Sequence, residues 1–481
     1  MSMERESLIR ALQSLVGKER VYTEGIIPAK RAIDTWPLPT VQIAVGAPEP
    51  PPPICVVRPR TTEEVSTIMS LLHRERIPVI PYGGGSNVCG GAKASTPDSV
   101  VIDLGSMNRI LSLDKANLMV TVQAGLYQSQ LEAWLNERGY ISGHYPQSFD
   151  LAQVGGLVAT RSAGQFSTKY GCIEDLVMGL EAVLPTGEVV RIKPAPRKST
   201  GPDLRHIWLG SEGTFGVITE VTLKIFPKPA QRWLHAYAVP SMDVGLGIMQ
   251  RFMQEGWRPA VARLRDAVET ARSHKGVVQE GECILLLLSE GPAGYVKAES
   301  EALHQIVTEG GGRPLGPKPV EDWLEHRNDV QEFYQYTAMG VIVDTVEVAA
   351  GWDQIGAIYT EVVQRVRKEV PELVVIFAHS SHCYPQGTNL YFTFGAQPPR
   401  DPKAVERVYW SIWSRIMEIT LTHGGTISHH HGVGKVRIPW IADELGSSLT
   451  LLRRLKQAMD PDGLMNPGTL LPGPDVKKPQ T

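Results

Sequence analysis

The sequence predicts an α+β protein of two domains, and three observations support this prediction. The chain has 481 residues, more than one hydrophobic core usually organises. In its first half, short strand-like runs alternate with helical patterns and glycine-rich loops. In its second half, apolar runs at residues 283–288 and 341–346 predict an antiparallel sheet, and helices such as 352–369 are expected to pack on one of its faces.

Composition excludes several classes of protein. The 48 basic and 51 acidic side chains give a formal net charge of −3, and no basic run is typical of nucleic-acid binding. Five scattered cysteines lack the spacing of a zinc site or a disulfide framework. No apolar run reaches transmembrane length, and the charged N-terminus does not resemble a signal peptide. We therefore expect a cytoplasmic protein that acts on a small molecule and binds no nucleic acid.

The elements before the first glycine loop follow from local patterns. Residues 1–49 are predicted to form a helix and an extended linker, because prolines concentrate between positions 37 and 53. A strand starts at residue 55, and a helix over 61–73 follows, with a start signal at Thr61 and apolar residues at helical spacing. This helix leads into a second strand at 77–80.

The loop after the second strand contains three consecutive glycines. Without Cβ atoms, its N–H groups can form an anion-binding nest. A side chain added at Gly84 is therefore expected to fill the space that a diphosphate would occupy. The loop residues are Pro81, Tyr82, Gly83, Gly84, Gly85, Ser86 and Asn87.

Two further glycine-bearing loops follow strands predicted at 100–104 and 118–122 and a helix at 127–137. Gly155 and Gly156 precede an apolar helical start, and glycines at three-residue spacing from Gly210 to Gly216 lead into a strand over 221–226. Three such loops within about 140 residues are more than turns require. They indicate a large cofactor that carries phosphate groups.

These three loops, in this order, resemble the FAD-binding domain of the vanillyl-alcohol oxidase or p-cresol methylhydroxylase (PCMH) family. Residues 199–203 and the histidine-rich segment 428–435 are most similar to the alkyldihydroxyacetonephosphate synthases. The resemblance covers residues 56–467. It implies a PCMH-type FAD-binding domain over 50–228, a substrate cap domain over 229–420, and a segment over 421–481 that returns to the flavin.

The resemblance also implies which residues bind FAD. The first glycine loop would hold the pyrophosphate, and the later loops would complete the site. The implied residues outside the first loop are Gln147, Ser148, Val154, Gly155, Gly156, Thr160, Ser162, Ala163, Glu212, Gly213, Thr214, Gly216, Val217 and Ile218. The Rossmann fingerprint Gly-x-Gly-x-x-Gly after a first strand is absent. In this family a histidine beside the glycine loop often attaches the flavin, and because none lies between His73 and His144 we expect non-covalent FAD.

Polar residues of the predicted cap are the candidates for catalysis. In an extended segment His429 and His431 would share one face and His430 the other. The resemblance to the synthases implies Tyr391 as an acid or base with the three histidines around the flavin, and a phenol and imidazoles can shuttle protons. Arg327 could hold a substrate carboxylate bidentately, and Arg263 is a second candidate for anion binding. A surface salt bridge is the alternative for either arginine.

A metal site is a competing interpretation of these histidines. Relatives of the D-lactate dehydrogenase and glycolate oxidase type bind a divalent metal through two histidines and a glutamate. Those ligand positions fall here on His382, Tyr391 and His430, so at most two of three could ligate. We therefore predict no metal and retain His382 and His430 as the remaining candidates.

Two activities fit these residues. The first is an FAD-dependent oxidoreductase that transfers a hydride from a small 2-hydroxy acid or alcohol to flavin N5. The second is a synthase of ether-lipid synthesis, in which N5 adds to a dihydroxyacetone-phosphate carbon without net redox change. The synthases carry a cap arginine whose position falls on Phe333, and this difference favours the oxidoreductase. A homodimer is compatible with the sequence, and the electron acceptor stays open.

Overall fold

The two largest hydrophobic cores of the described chain lie mainly one in each half. The computed structural model describes residues 3–94, 96–329, 331–473 and 476–479. Helices and strands alternate in the first half, as the sequence predicts, whereas the second half is built on one large sheet. The fold is therefore of mixed helix and sheet, as expected.

The first half contains two main sheets. Strands β2 and β3 both run parallel to β4, and β1 pairs antiparallel to β2, which gives the order β1-β2-β4-β3. The second sheet is antiparallel, with the order β5-β6-β10-β8-β9, and β7 pairs with β11. The strands are β1 (Val21–Tyr22), β2 (Cys55–Val57), β3 (Val79–Tyr82), β4 (Val100–Asp103), β5 (Ile110–Asp114), β6 (Met119–Gln123), β7 (Tyr140–Ile141), β8 (Val177–Val183), β9 (Val189–Ile192), β10 (Val217–Lys224) and β11 (Phe226–Pro227).

Nine helices accompany these strands in the described part of the first half. The longest, α4, begins after Thr61, whose hydroxyl accepts a hydrogen bond from the Glu64 N–H at 3.2 Å, so the predicted start signal is confirmed. The helices are α1 (Arg5–Val16), α2 (Ile26–Arg31), α3 (Pro37–Ala44), α4 (Thr62–Arg74), α5 (Gln128–Asn136), α6 (Val154–Ala159), α7 (Ser167–Tyr170), α8 (Ile173–Leu176) and α9 (Arg205–Trp208).

Helix α3 corrects the predicted linker. Pro37 and Pro39 lie in its first turn, where a missing N–H breaks no intrahelical hydrogen bond, so proline enrichment there does not require an extended chain. The helix packs against the second half, and the Trp36 indole donates to the Tyr409 hydroxyl at 2.8 Å. The N-terminal segment therefore joins the two halves.

The second half is an antiparallel sheet with the order β15-β12-β14-β13-β17-β19-β16, and β18 pairs with β19. Its elements are β12 (Gln231–Val239), α10 (Met242–Gln254), β13 (Val261–Arg265), α11 (Ala267–Ser273), β14 (Cys283–Gly291), α12 (Ala293–Glu309), β15 (Arg313–Gly316), α13 (Lys318–His326), α14 (Gln331–Ala338), β16 (Ile342–Gly351), α15 (Trp352–Glu369), β17 (Leu373–Ser380), β18 (Cys383–Tyr384), β19 (Gly387–Ala396), α16 (Pro402–Thr422), α17 (Ile441–Leu445) and α18 (Ser448–Met459).

The two faces of this sheet have different neighbours. Alternate residues such as Leu264 and Phe392 pack with helices α10, α12, α15 and α16 in one core. On the opposite face, apolar residues of β12, β13 and β14 contact Tyr145 and Phe166 of the first half. Residues between the core positions, such as Arg263 and Tyr391, therefore face the first half.

The C-terminal segment returns to the first sheet. Met465 forms a parallel bridge with Val79 of β3, and the Asn466 N–H donates to the Val79 carbonyl at 2.8 Å. The segment therefore lies beside the strand that leads into the first glycine loop. None of the helices in the described ranges is long and apolar enough to cross a membrane.

Candidate active site

A cavity of about 500 Å³ lies between the glycine loops and the cap sheet. The first half contributes all three glycine loops to its wall. The second half contributes the polar face of strands β13, β17, β19 and β16, together with helix α14. The structure therefore brings the predicted cofactor loops and most of the predicted catalytic residues to one space.

The first glycine loop presents unpaired backbone donors to this cavity. Strand β3 ends at Tyr82, and in the described chain the N–H groups of Gly84, Gly85 and Ser86 donate to no protein acceptor. Gly85 has φ of +70°, which suits glycine. Three adjacent unpaired donors are compatible with the predicted anion-binding nest, and the pyrophosphate contact stays a prediction.

The expectation for Gly84 is wrong in its physical reason. A Cβ atom built at Gly84 would lie 1.7 Å from the Leu151 carbonyl oxygen, so that position faces protein and not the cavity. Gly156 behaves differently, because a Cβ atom there would meet nothing within 4 Å. Since Gly156 lines the cavity, the open space for a ligand lies at this glycine.

Most of the residues predicted to bind the cofactor line the cavity, and three do not. Those that line it are Pro81, Tyr82, Gly83, Gly84, Gly85, Ser86, Asn87, Gln147, Ser148, Gly155, Gly156, Thr160, Ser162, Ala163, Glu212, Gly213, Gly216 and Ile218. Val154 and Val217 lie instead in the hydrophobic core of the first half. The buried Thr214 hydroxyl donates to the Ser211 carbonyl at 2.7 Å. These three residues hold the loops in place, and they are not part of the wall.

Glu212 connects the third glycine loop to the C-terminal segment. Its carboxylate accepts hydrogen bonds from the N–H groups of Val433 and Gly434, each at 2.7 Å. Burial raises the pKa of this carboxyl to about 7, against the lowering effect of the two N–H donors. Glu212 therefore positions the turn that follows the three histidines.

A buried carboxylate on β16 holds those histidines. Glu347 Oε1 accepts hydrogen bonds from the N–H groups of His429, His430 and His431 at 3.2, 3.0 and 2.6 Å. Its other oxygen pairs with Arg437, and both side chains are fully buried. Burial alone would raise the pKa of Glu347, but Arg437, His431 and the N–H donors hold it near 2. The histidine loop is therefore fixed by a charged group.

The three histidines do not alternate as the extended segment predicted. His430 and His431 both line the cavity. His429 turns away, and its Nε2 atom shares a hydrogen bond of 2.7 Å with the Tyr384 hydroxyl. The segment consists of bends and is not a strand, so side-chain alternation does not apply. In the described chain, nothing hydrogen-bonds the Nε2 atoms of His430 and His431.

Three cap residues stand beside these histidines in the cavity wall. Tyr391 stacks on His379 with ring centroids 4.8 Å apart and contacts His431 edge-on at 5.4 Å. Arg263 Nη2 lies 2.8 Å from His379 Nε2, and Arg263 Nε is buried without a hydrogen-bond partner. Burial and the neighbouring Arg265 lower the pKa of Arg263 to about 10, so it remains a cation at neutral pH.

Arg327 does not lie in the wall, contrary to its predicted contact with a substrate carboxylate. Its guanidinium donates to Gln165 Oε1 at 2.8 Å and lies 5.3–5.9 Å from the ring centres of Tyr145, Phe166 and Trp323. Gln165 is itself a lining residue. Arg327 therefore reaches the cavity through Gln165.

The remaining metal candidates are close together but already hydrogen-bonded. Ligand atoms of His382, His429 and His430 lie within 4.8 Å of one another. His382 Nδ1 pairs with the Ser167 hydroxyl at 2.7 Å, and the Nδ1 atoms of His429 and His430 are 2.8 Å apart. The contact between His429 and His430 accounts for the close approach of those two rings, and that no metal binds stays a prediction.

Comparison with known proteins agrees with this geometry. The FAD binding domain family matches residues 53–193, and the family of FAD linked oxidases, C-terminal domain, matches residues 228–470. The uncharacterized FAD-linked oxidoreductase YgcU of Escherichia coli O157:H7 is 39% identical over 98% of this chain and 99% of its own length. The protein belongs to the FAD-linked oxidoreductase family.

Other similar proteins are named for different enzymes. Alkyldihydroxyacetonephosphate synthase of Dictyostelium discoideum is 29% identical over 87% of this chain and 73% of the relative. Glycolate oxidase subunit GlcD of Bacillus subtilis (strain 168) is 26% identical over 87% and 89%. A solved alkyldihydroxyacetonephosphate synthase structure has a TM-score of 0.81 at 25% identity, covering 97% of this chain and 85% of that one. A p-cresol methylhydroxylase structure shares the fold, with a TM-score of 0.77 at 15% identity over 96% of both chains.

The cavity of this FAD-linked oxidoreductase fits its cofactor. The unpaired N–H groups of the first glycine loop match a pyrophosphate, and the space beside Gly156 admits a flat group. Gln153 adds a buried amide oxygen without a partner, and Gln153 also lines the cavity. The protein is therefore an FAD-dependent enzyme.

Several lining residues were not anticipated from the sequence. Asp34, Thr35, Pro37 and Thr40 belong to the N-terminal segment 1–49, yet they line the cavity beside the first glycine loop. No local pattern marks them, because α3 takes this position by packing on α14, α16 and β16. The contact of His379 with Arg263 depends on strand order, which places β17 beside β13.

Proposed function

We propose that the enzyme oxidises a small 2-hydroxy acid or related alcohol at its hydroxyl-bearing carbon. The observation that carries this proposal is Arg263, whose side chain is only 12% exposed and lies in the cavity wall without a hydrogen-bonded carboxylate. Its nearest carboxylate oxygen, on Glu269, is 3.9 Å away. A cation with so little exposure and only a distant carboxylate is costly, and the carboxylate of a bound substrate would supply a closer partner.

Arg263 is also the only arginine or lysine among the described residues that line the cavity. One cation matches the single negative charge of a hydroxy-acid carboxylate. A phosphate ester carries close to two negative charges at neutral pH and usually meets several donors or cations. The wall therefore favours a carboxylate substrate.

The glycine loops would hold FAD through the N–H groups of residues 84–86 and the open face of Gly156. FAD, when bound, accepts a hydride from the substrate carbon. The substrate must then also lose its hydroxyl proton, and the protein must receive that proton.

His431 is placed to receive the proton. Its Nε2 atom is unpaired in the described chain, and Nδ1 lies 3.5 Å from Glu347. Burial lowers the pKa of His431, while Glu347 acts in the opposite direction, so the neutral base form is present at neutral pH. Once His431 is protonated, the negative charge of Glu347 stabilises the imidazolium.

Tyr391 orients the substrate hydroxyl rather than removing its proton. Burial raises the pKa of this phenol well above its ordinary value, so it remains protonated and donates a hydrogen bond. Its position between His379 and His431 places that donor beside both the cation and the base.

Anaerobic mixing with D-2-hydroxy acids tests the proposal. A true substrate bleaches the oxidised flavin band. In Arg263→Met the concentration needed for bleaching should rise about 10-fold to 100-fold, the loss typical of a charged hydrogen bond. Arg365→Met, which changes an exposed ion pair on α15, is the matched control. If no hydroxy acid or alcohol bleaches the flavin, the proposal fails.

A second candidate is the synthase reaction of ether-lipid synthesis. Two similarities support it, one to a synthase relative at 29% identity and one to a solved synthase structure. Tyr391 and the histidine loop support it as well. The position of the synthase arginine implied by the resemblance is Phe333, an aromatic lining residue. Release of a fatty acid from acyl-dihydroxyacetone phosphate would favour this reaction over the oxidation.

A further inference from the structure

Glu269 and His379 lie directly behind Arg263. Glu269 belongs to α11, whose N-cap Asp266 accepts hydrogen bonds from the N–H groups of Glu269 and Ala378, each at 2.8 Å. The helix is thereby tied to β17, which carries His379. Glu269 Oε2 lies 2.9 Å from His379 Nδ1. The position of the imidazole is therefore set by a fixed carboxylate.

The charges of this cluster do not balance without a ligand. Glu269 faces two arginines, and it lies closer to Arg265, at 3.1 Å, than to Arg263, at 3.9 Å. Arg265 also contacts Ser273 and His274. Arg263 has only the His379 ring within hydrogen-bond distance among the described residues. One positive charge, on a side chain that is 12% exposed, is therefore in excess at the cavity wall.

His379 supports both residues that would meet the substrate. Arg263 Nη2 lies 2.8 Å from Nε2 and 3.2 Å from Nδ1, so the guanidinium leans over the edge of the ring rather than meeting one nitrogen in the plane. Tyr391 stacks on the same imidazole at an interplanar angle of 14°. Since Glu269 remains ionised beside two arginines, Nδ1 carries the proton of a neutral ring.

We propose that Glu269 and His379 are positioning residues that fix the Arg263 guanidinium for a substrate carboxylate and thereby select acids over neutral alcohols. This inference rests on the proposed oxidation, because it concerns the substrate of the same site. Glu269 sets the imidazole, the imidazole sets the guanidinium, and the exposed 12% of the Arg263 side chain is left to the ligand at the cavity wall. The selectivity therefore depends in part on Glu269, which does not line the cavity.

Binding of oxalate, an unreactive carboxylate, tests this series of contacts from Glu269 to Arg263 without turnover. Oxalate should perturb the flavin absorbance of the wild-type holoenzyme. His379→Phe keeps an aromatic ring against Tyr391 but removes both nitrogen contacts, and it should weaken oxalate binding about 10-fold or more. His379→Gln keeps a donor for Glu269 and should weaken binding less. His423→Phe is the matched control. His423 Nε2 lies 2.8 Å from Glu361 Oε2, and neither residue lines the cavity.

A second readout separates positioning from a general structural effect. The best 2-hydroxy acid and its corresponding 1,2-diol are compared by kcat/KM. His379→Phe should lower the value for the acid about 10-fold more than the value for the diol. Equal losses for both compounds, or wild-type oxalate binding in His379→Phe, would overturn the positioning role and leave the oxidation intact. A wild-type enzyme that neither binds oxalate nor oxidises any hydroxy acid would overturn both.

Discussion

Buried charges around the cavity differ in how completely they are paired. Glu347 and Arg437 satisfy each other, and their role is to hold the histidine loop. Arg263 lacks such a partner and faces the cavity. A closely paired buried charge maintains a structure, whereas a loosely paired one in a cavity wall is a candidate for ligand binding.

Replacing His431 by alanine tests the base. Flavin reduction at saturating substrate should slow about 100-fold, in the range typical of general base catalysis, with little change in substrate affinity. Because burial lowers the pKa of His431, the acid limb of the wild-type pH profile should lie below the ordinary histidine value of about 6.5. Stopped-flow absorbance measures both effects. His206→Ala, at an exposed histidine, should leave the rate unchanged.

Replacing Gly156 by valine tests where FAD lies. The added side chain would enter open cavity space, so the variant should fold normally but lose FAD. Gly84→Val should instead disturb the loop around Leu151, because its side chain meets backbone. Bound flavin per chain and circular dichroism distinguish these results. A Gly156→Val protein with full FAD content would place the cofactor elsewhere.

At the scale of elements, one strand residue organises a loop that is distant in sequence. Glu347 on β16 accepts three successive N–H groups and so takes the place of the strand ladder that the histidine loop lacks. The sequence showed three histidines beside glycines, but nothing local predicted this partner. The expected alternation of side chains therefore separated His430 from the other two histidines, whereas in the structure His429 is the one that turns away from the cavity.

Replacing Glu347 by glutamine should destabilise the fold as well as the site. Removing one partner of a buried ion pair costs about 3–5 kcal/mol. We expect a lower thermal midpoint than in Glu361→Gln, whose carboxylate is partly exposed. A thermal midpoint equal to that of wild type would show that Glu347 does not anchor the loop.

The pH dependence of this difference has a definite sign. The folded-state pKa of Glu347, about 2, is below its unfolded value of about 4.3. Its ionised form therefore stabilises the fold fully above about pH 5, and this contribution is lost as the pH falls toward 2. The gap between wild type and Glu347→Gln should shrink over that range.

Helix α3 shows the limit of compositional arguments about elements. The number of prolines predicts an extended chain. The positions of Pro37 and Pro39 in the first helical turn are nevertheless compatible with a helix. The decisive contacts join Trp36 to Tyr409 and, through it, to Asp344 on β16. Such long-range packing has no signature in the linker itself.

At the scale of the whole molecule, local and non-local features were predictable to different degrees. The glycine loops, helix α4 and the cap strands follow from short-range patterns, and the structure contains them. Which residues share the wall depends on strand order and on chain returns, which bring Arg263 beside His379 and the C-terminal segment beside β3. Arg327 was a candidate because a guanidinium can hold a carboxylate bidentately, but in the fold it donates to Gln165, which lines the cavity.

The mode of FAD attachment is a further prediction for the whole protein. The purified protein should be yellow, and acid precipitation should release its flavin into the supernatant, since no histidine lies between His73 and His144. Absorbance of the supernatant and the pellet measures this. Flavin retained in the pellet would indicate a covalent bond and would leave the fold assignment unchanged.

The central claim is that this enzyme removes a hydride from a carboxylate-bearing alcohol held by Arg263. The most direct test is anaerobic stopped-flow mixing of the holoenzyme with a panel of D-2-hydroxy acids, followed at the oxidised flavin band. We predict that at least one acid bleaches the band in a single turnover, and that Arg263→Met shifts the half-saturating concentration upward about 10-fold or more. An oxidised band that persists with every acid and alcohol, while acyl-dihydroxyacetone phosphate releases fatty acid, would contradict the claim.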